Sequence, residues 1–431
     1  MMGANLILVV LSFFNNKLIY MYLDREANGV YFLAMRLSLF ISLLFGDWLR
    51  LSNINIAGGD KRLTGVLSAN SLWYSVALGV FLVLAASLVT PRLGASLFGI
   101  PPGFVVAAVA AAAIAVFRDS SQSLLLVNHR LFRYGATFVV LGAMFLTLDF
   151  VFLVVYRFGL DAVIAAWIAA TAASALWAYF SGVTAGGVSL RPSWTVFARS
   201  REIGVRAFIA VVGMFLMINI HAFMIEPIAR KTGEGLVMVA LFSVCFRVFQ
   251  LLQRVADVTG SLLLSHVVQR DRAAGFHMTA LSARSVFLFS CAASALGLLS
   301  GKYLVLLVSD SKYVAAHIPL LAMLPGMIAV NAGSVLNNFY WGNRYPFRII
   351  LAPFAASALG LTLDFLLFPR MGVSGVTVSF SLASLAWMVY ITAAFCRDSG
   401  MRPSELFLPR PAELRRAVSG LLVMFARGKN H

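Results

Sequence analysis

Stretches of about twenty apolar residues, nearly free of charge, follow one another from Leu6 to Cys396, and they limit most sharply what this chain can become. A helix of that length just crosses the roughly 30 Å hydrocarbon core of a bilayer. The chain is 61% apolar and 12% charged, against roughly 25% charged in soluble domains. In water such a composition would leave large hydrophobic patches exposed. In hydrocarbon every backbone N–H and C=O must be satisfied within the protein, and consecutive helices do this. The expectation is an all-α polytopic membrane protein.

Twelve spans are predicted, near 4–23, 29–52, 66–90, 103–127, 135–156, 161–182, 205–226, 236–262, 283–301, 314–341, 347–369 and 373–396. Turn chemistry marks the short links, as in Asp24-Arg25-Glu26, Gly58-Gly59-Asp60 and Pro101-Pro102. The longest link, 183–204, carries Gly186, Gly187, Pro192 and several arginines. It divides an N-terminal lobe, 1–182, from a C-terminal lobe, 205–396. The net charge of +17 is spread over helix ends, which speaks against nucleic acid. Links after even-numbered spans, with the C-terminus, hold most of the Lys and Arg, so both termini are expected in the cytoplasm of a bacterium, at its inner membrane. No basic n-region or small-residue cleavage site precedes the first apolar run, so that run is expected to stay as a helix. From Pro411 onward, Leu414, Val418, Leu421, Leu422 and Phe425 recur at helical spacing among arginines. The tail, 397–431, therefore predicts a basic amphipathic helix lying on an anionic leaflet.

The chain repeats itself at half its length. Leu146-Thr147-Leu148-Asp149-Phe150 returns as Leu361-Thr362-Leu363-Asp364-Phe365, an offset of 215. Arg130 and Arg133 are answered by Arg344 and Arg348, and Arg36 by Arg247. The offset covers six spans, an even number, so both halves enter the membrane in the same direction. That predicts two parallel six-helix lobes, related by an axis along the membrane normal, around a central cavity.

Three segments carry a resemblance. Leu23–Arg36, with Gly29-Val30-Tyr31, is one; Tyr313-Val314-Ala315 through Leu321 is a second; Phe368-Pro369-Arg370-Met371-Gly372-Val373-Ser374-Gly375 is the third. They resemble the starts of helices two and ten, and the link between helices eleven and twelve, in the multidrug/oligosaccharidyl-lipid/polysaccharide exporter superfamily, especially its O-antigen and polysaccharide lipid flippases. The resemblance implies a twelve-helix, two-lobed flippase for undecaprenyl-diphosphate-linked oligosaccharides, working beside other polysaccharide-assembly proteins. Aspartates at 149 and 364 depart from that family, which often has asparagine there.

A charged residue at a helix centre costs about 2.5–3.5 kcal/mol on insertion scales, so it needs a partner or a wet cavity. Arg50 and Arg254 have Asp47 and Asp257 one turn away and read as local pairs. Lys17, Arg36, Arg118 and Arg247 have no acid three or four residues off, although Asp119 adjoins Arg118. These four are the candidate cavity cations. Arg36 and Arg247, equivalent in the repeat, suit a diphosphate because a guanidinium offers a bidentate fork. The competing reading pairs each with an acid of its own lobe. Asp149, Asp364 and His221 are candidate coupling or counter-charge groups, or else helix–helix hydrogen bonds. Asn219 and His221 in span seven echo Asn15 and Asn16 in span one. Pro319, Pro325 and Gly326 should bend span ten.

Two lobes around a cavity suit alternating access. The reading favoured is a flippase moving a polyprenyl-diphosphate-linked oligosaccharide for cell-surface polysaccharide biosynthesis, with no cofactor or metal and membrane lipids as further partners. A cation-coupled drug antiporter is the runner-up, though its cavity should favour acids. A membrane glycan polymerase or transferase is the alternative from another class. Enzymes need an acid/base pair or nucleophile in a formed site, and the sequence shows no carboxylate pair, no metal-spaced His cluster and no large external loop. The cysteines Cys245, Cys291 and Cys396 have spacings that fit neither metal nor disulfides.

Overall fold

The computed structural model describes residues 2–90, 97–186, 190–230, 233–267, 272–342 and 346–408. Among these the chain is helical throughout and has no strand beyond one isolated bridge, Leu97 to Ile100. The helices are α1 (Met2–Tyr22), α2 (Arg25–Gly59), α3 (Thr64–Val89), α4 (Pro102–Val127), α5 (Leu131–Asp149), α6 (Leu160–Gly186), α7 (Trp194–Ala229), α8 (Gly235–Val267), α9 (Arg272–Val308), α10 (His317–Gly342), α11 (Phe347–Met371), α12 (Val373–Ser399) and the short α13 (Pro403–Phe407). Eleven are long and apolar enough to cross a membrane. Counting α1, with its shorter apolar stretch Ile7–Tyr22, the expected twelve are present.

Several helices outrun their predicted spans. Asp24 caps α2 by accepting from the Ala27 N–H at 2.7 Å, and the helix runs 35 residues to Gly59. Ser193 caps α7, which runs 36 residues. The link between the lobes is accordingly shorter than 183–204, because α6 continues to Gly186 and α7 starts at Trp194. Hydropathy marks where the hydrocarbon ends, whereas a capped helix continues into the headgroups. Asn70 of α3 pins this link by bonding both the N–H and the C=O of Ser193, at 2.8 and 3.0 Å. Beyond Asp149, α5 continues as a π-helical turn, Phe150–Val155, where Tyr156 N–H bonds the Val151 carbonyl five residues back. The equivalent stretch of α11 stays α-helical to Met371, so the repeat is not exact. Pro319 falls in the first turn of α10, where its missing N–H costs nothing, while Pro325 is interior. There the Gly326 N–H donates to Ser381 Oγ at 3.1 Å. The basic tail from residue 409 lies outside the described residues.

Two compact units make up the chain. The first comprises Met1–Val248, Ser300–Met323 and Pro353–Phe380; the second comprises Phe249–Leu299, Leu324–Ala352 and Ser381–His431. The division cuts through α8 to α12, so the C-terminal lobe of the repeat contributes to both. In the first unit α2 packs on α4 and α7, and α4 on α6. Small residues permit this close packing: Ala108, Ala111 and Ala112 of α4 are fully buried, and a Cβ on Gly46 of α2 would lie 2.7 Å from Val116 of α4. In the second unit Phe276 stacks on Phe339 at 4.5 Å, and Leu406 of α13 is buried in the same cluster. Large side chains such as Phe132, Leu299 and Phe81 point outward, as lipid solvation permits.

Candidate functional site

All seven sequence-selected site residues fall in the first unit. Arg36 is the twelfth of the 35 residues of α2 and is buried, at 5% exposure. Its Nη1 donates to Asn219 Oδ1 of α7 at 3.3 Å. Its guanidinium sits over the rings of Phe32, at 4.9 Å, and Phe246 of α8, at 4.3 Å. No ion pair forms on Arg36 among the described residues, and its Nε has no hydrogen-bond partner there. Aromatic faces offset part of the burial cost, by about 0.5–2 kcal/mol each. Arg247, half-buried on α8, contacts Met35 Sδ at 3.7 Å through its Nη2 and lies within electrostatic reach of Arg36, Tyr20 and Tyr31. Tyr20 of α1 bonds Ser243 of α8 at 2.9 Å. One cation from each lobe thus reaches a shared region rich in rings and hydroxyls.

The other two candidate cations have backbone or acidic partners. Lys17 of α1 donates to the carbonyls of Leu306, at 2.6 Å, and Ser309, at the end of α9. Arg118 of α4 pairs with its neighbour Asp119 at 2.8 Å. The local pair Arg50–Asp47 forms at 2.6 Å, and Asp119 also bears on Arg50, so α2 and α4 share one cluster of mixed charge.

The repeated aspartates take equivalent positions. His221 Nδ1 and Asp364 Oδ2 are 2.8 Å apart, both side chains fully buried, with the imidazole edge-on to Phe380. Asp149, equally buried, has Asn15 of α1 beside it, and neither carboxyl oxygen meets hydrogen-bond geometry. In each lobe, then, the first helix offers a polar side chain to a carboxyl on the fifth. Asp364 pairs with the His of its own lobe, and among the described residues neither aspartate pairs with Arg36. Among the described residues no group of three His, Cys, Asp or Glu could hold a metal ion.

Sequence reasoning missed Tyr20, Ser243, Tyr313 and Lys312. Asn28 Nδ2 donates to the Tyr313 hydroxyl at 2.6 Å, and Lys312 Nζ donates to the Leu23 carbonyl at 2.6 Å. Hydroxyl and link residues carry no hydropathy signal; only the partner across the lobes gives them meaning.

No family model and no curated protein matches the sequence. Solved structures do. An inward-facing multidrug-resistance MATE-family transporter of the MOP superfamily aligns with TM-score 0.71 at 14% identity, over 91% of this chain and 94% of its own. The fold is that of the MOP-superfamily transporters. The lipid II flippase MurJ, in an inward closed conformation, aligns with the same MOP fold at TM-score 0.71 and 14% identity, over 99% of both chains. A MOP-superfamily transporter from Pyrococcus furiosus, whose binding pocket has reversed polarity suggesting a different function, aligns at TM-score 0.63 and 14% identity over 92% and 93%. The two-lobed helical fold expected from the repeat is thus shared with MOP-superfamily transporters, and this chain is a multi-pass membrane protein.

Proposed function

We propose that this protein is a flippase that carries a polyprenyl-diphosphate-linked oligosaccharide across the bacterial cytoplasmic membrane by alternating access. The observation that carries the reading is the buried Arg36, held by an amide oxygen and two aromatic rings with no carboxylate upon it among the described residues, within electrostatic reach of Arg247 from the other lobe. With no ion pair on it among the described residues, the Arg36 guanidinium is open to an arriving anion, and Arg36 with Arg247, one per lobe, would match the two phosphates of a diphosphate. The lipid tail would stay in the bilayer while the lobes rock. Likeness to a lipid II flippase supports a lipid cargo. A drug–cation antiporter shares the fold, but its cargo would meet like charge at Arg36 and Arg247.

The test is transport per molecule of protein in the membrane, read as lipid-linked glycan reaching the outer leaflet in cells lacking the native gene. Arg36→Ala and Arg247→Ala should each lower it by about tenfold or more, the scale of one lost charged hydrogen bond. Arg→Lys should restore only part, because a point charge replaces a fork. Normal specific transport in both alanine variants overturns the proposal, and drug efflux without glycan movement favours the antiporter.

A further inference from the structure

Two lysines exchange partners across the repeat. Lys17, in α1 of the N-terminal lobe, donates to the Leu306 and Ser309 carbonyls at the C-terminal end of α9. Lys312, just past α9 in the C-terminal lobe, donates to the Leu23 carbonyl at 2.6 Å and the Met21 carbonyl at 3.3 Å, at the C-terminal end of α1. The last carbonyls of a helix have no partner within it and carry the negative end of its dipole. Each ammonium therefore caps a helix of the opposite lobe. Between them lies a polar and aromatic seam: Asn28 bonds the Tyr313 hydroxyl, and the Tyr20 and Tyr313 rings meet edge-on at 5.1 Å. A second contact repeats this arrangement with the lobes exchanged. The described part of the α3–α4 link lies on α7 and α8, with Phe98 5.4 Å from Phe223 and a Cβ on Gly99 falling 2.8 Å from Glu226 Cγ. The described part of each lobe's third link thus lies against the first two helices of the other.

We propose that Lys17 and Lys312 form a reciprocal clasp that holds the lobes together at the end bearing the α1–α2 and α9–α10 links, and that both ammonium groups must leave their carbonyls before this end can open. The inference rests on the alternating-access reading, yet it is tested on the clasp itself. An exposed lysine contact contributes little. Both Lys17 contacts and the Lys312–Leu23 contact are part-buried, the Lys312–Met21 contact being exposed, and part-buried helix carbonyls that lose a partner are costly. Release of one lysine uncaps one helix directly and frees the other lobe's link to move, so the two contacts should form and break together.

The measurement is hydrogen–deuterium exchange of the full chain in lipid nanodiscs, followed on peptides covering the α1–α2 and α9–α10 links. Lys17→Met and Lys312→Met should each speed exchange at both links by about tenfold, the scale of one charged hydrogen bond. The double variant should add less than the sum, and Lys→Arg should restore most of the protection. Unchanged exchange in α13 and the adjoining part of α9 would exclude general unfolding. Faster exchange only at the helix that lost its own cap overturns the clasp, leaving two independent caps. Unchanged exchange with lost transport also overturns it while sparing the flippase reading. Coupled exchange in a protein that moves no glycan would support the clasp and refute the cargo.

Discussion

The buried pair His221 and Asp364 shows what a single residue can and cannot disclose. The repeat marked Asp364 as the twin of Asp149, and hydropathy placed both inside helices. That a histidine 143 residues away meets Asp364 at 2.8 Å was beyond its reach, since polar partners in a bundle are set by which helix faces touch. Removing one member of a buried pair costs about 3–5 kcal/mol, whereas replacing both by apolar groups is often neutral. His221→Leu should therefore lower the amount of folded protein in the membrane, and the double variant His221→Leu with Asp364→Leu should recover it. Asp364→Asn keeps an oxygen to face Nδ1, so it should accumulate normally, as should Asp149→Asn beside Asn15. Fluorescence-detected size exclusion gives the amounts. If either asparagine variant accumulates normally but loses transport, the carboxyl acts through its charge and not as a helix–helix hydrogen bond.

At the scale of the element, α2 is decided by close approach as much as by hydropathy. A Cβ added at Gly29 would lie 2.3 Å from the Leu236 carbonyl oxygen, which is α8 backbone and has no rotamer by which to yield. Gly29→Ala should force the two helices apart at the clasped end, destabilising the protein by about 1–3 kcal/mol. Gly58, on the same helix, has nothing within 4 Å of such a Cβ. Gly58→Ala should be neutral or stabilise by up to about 1 kcal/mol, since alanine favours the helix. Thermal unfolding of the two variants side by side checks this, and equal midpoints would mean that α2 and α8 do not touch there. In the sequence the two glycines are alike.

For the whole molecule, the even number of spans before the α6–α7 link makes a firm demand. Reporter fusions after residue 60, near 195 and at the C-terminus should report cytoplasm, and those near 26, 159 and 232 the opposite face. A fusion near 195 that reports the outside would break the six-plus-six architecture. Reading along the chain was sufficient for the bilayer as solvent, the helices and the duplication. These follow from hydropathy, spacing and self-similarity, which are properties of short windows. Tertiary structure alone decided that Lys17 caps α9, that Arg36 rests on the Phe246 ring from the other lobe, and that the compact units cut through α8 to α12. Between helices in lipid there is little hydrophobic drive to single out a partner, so small residues, hydrogen bonds and helix ends select it, and these interactions leave no periodic trace in the sequence.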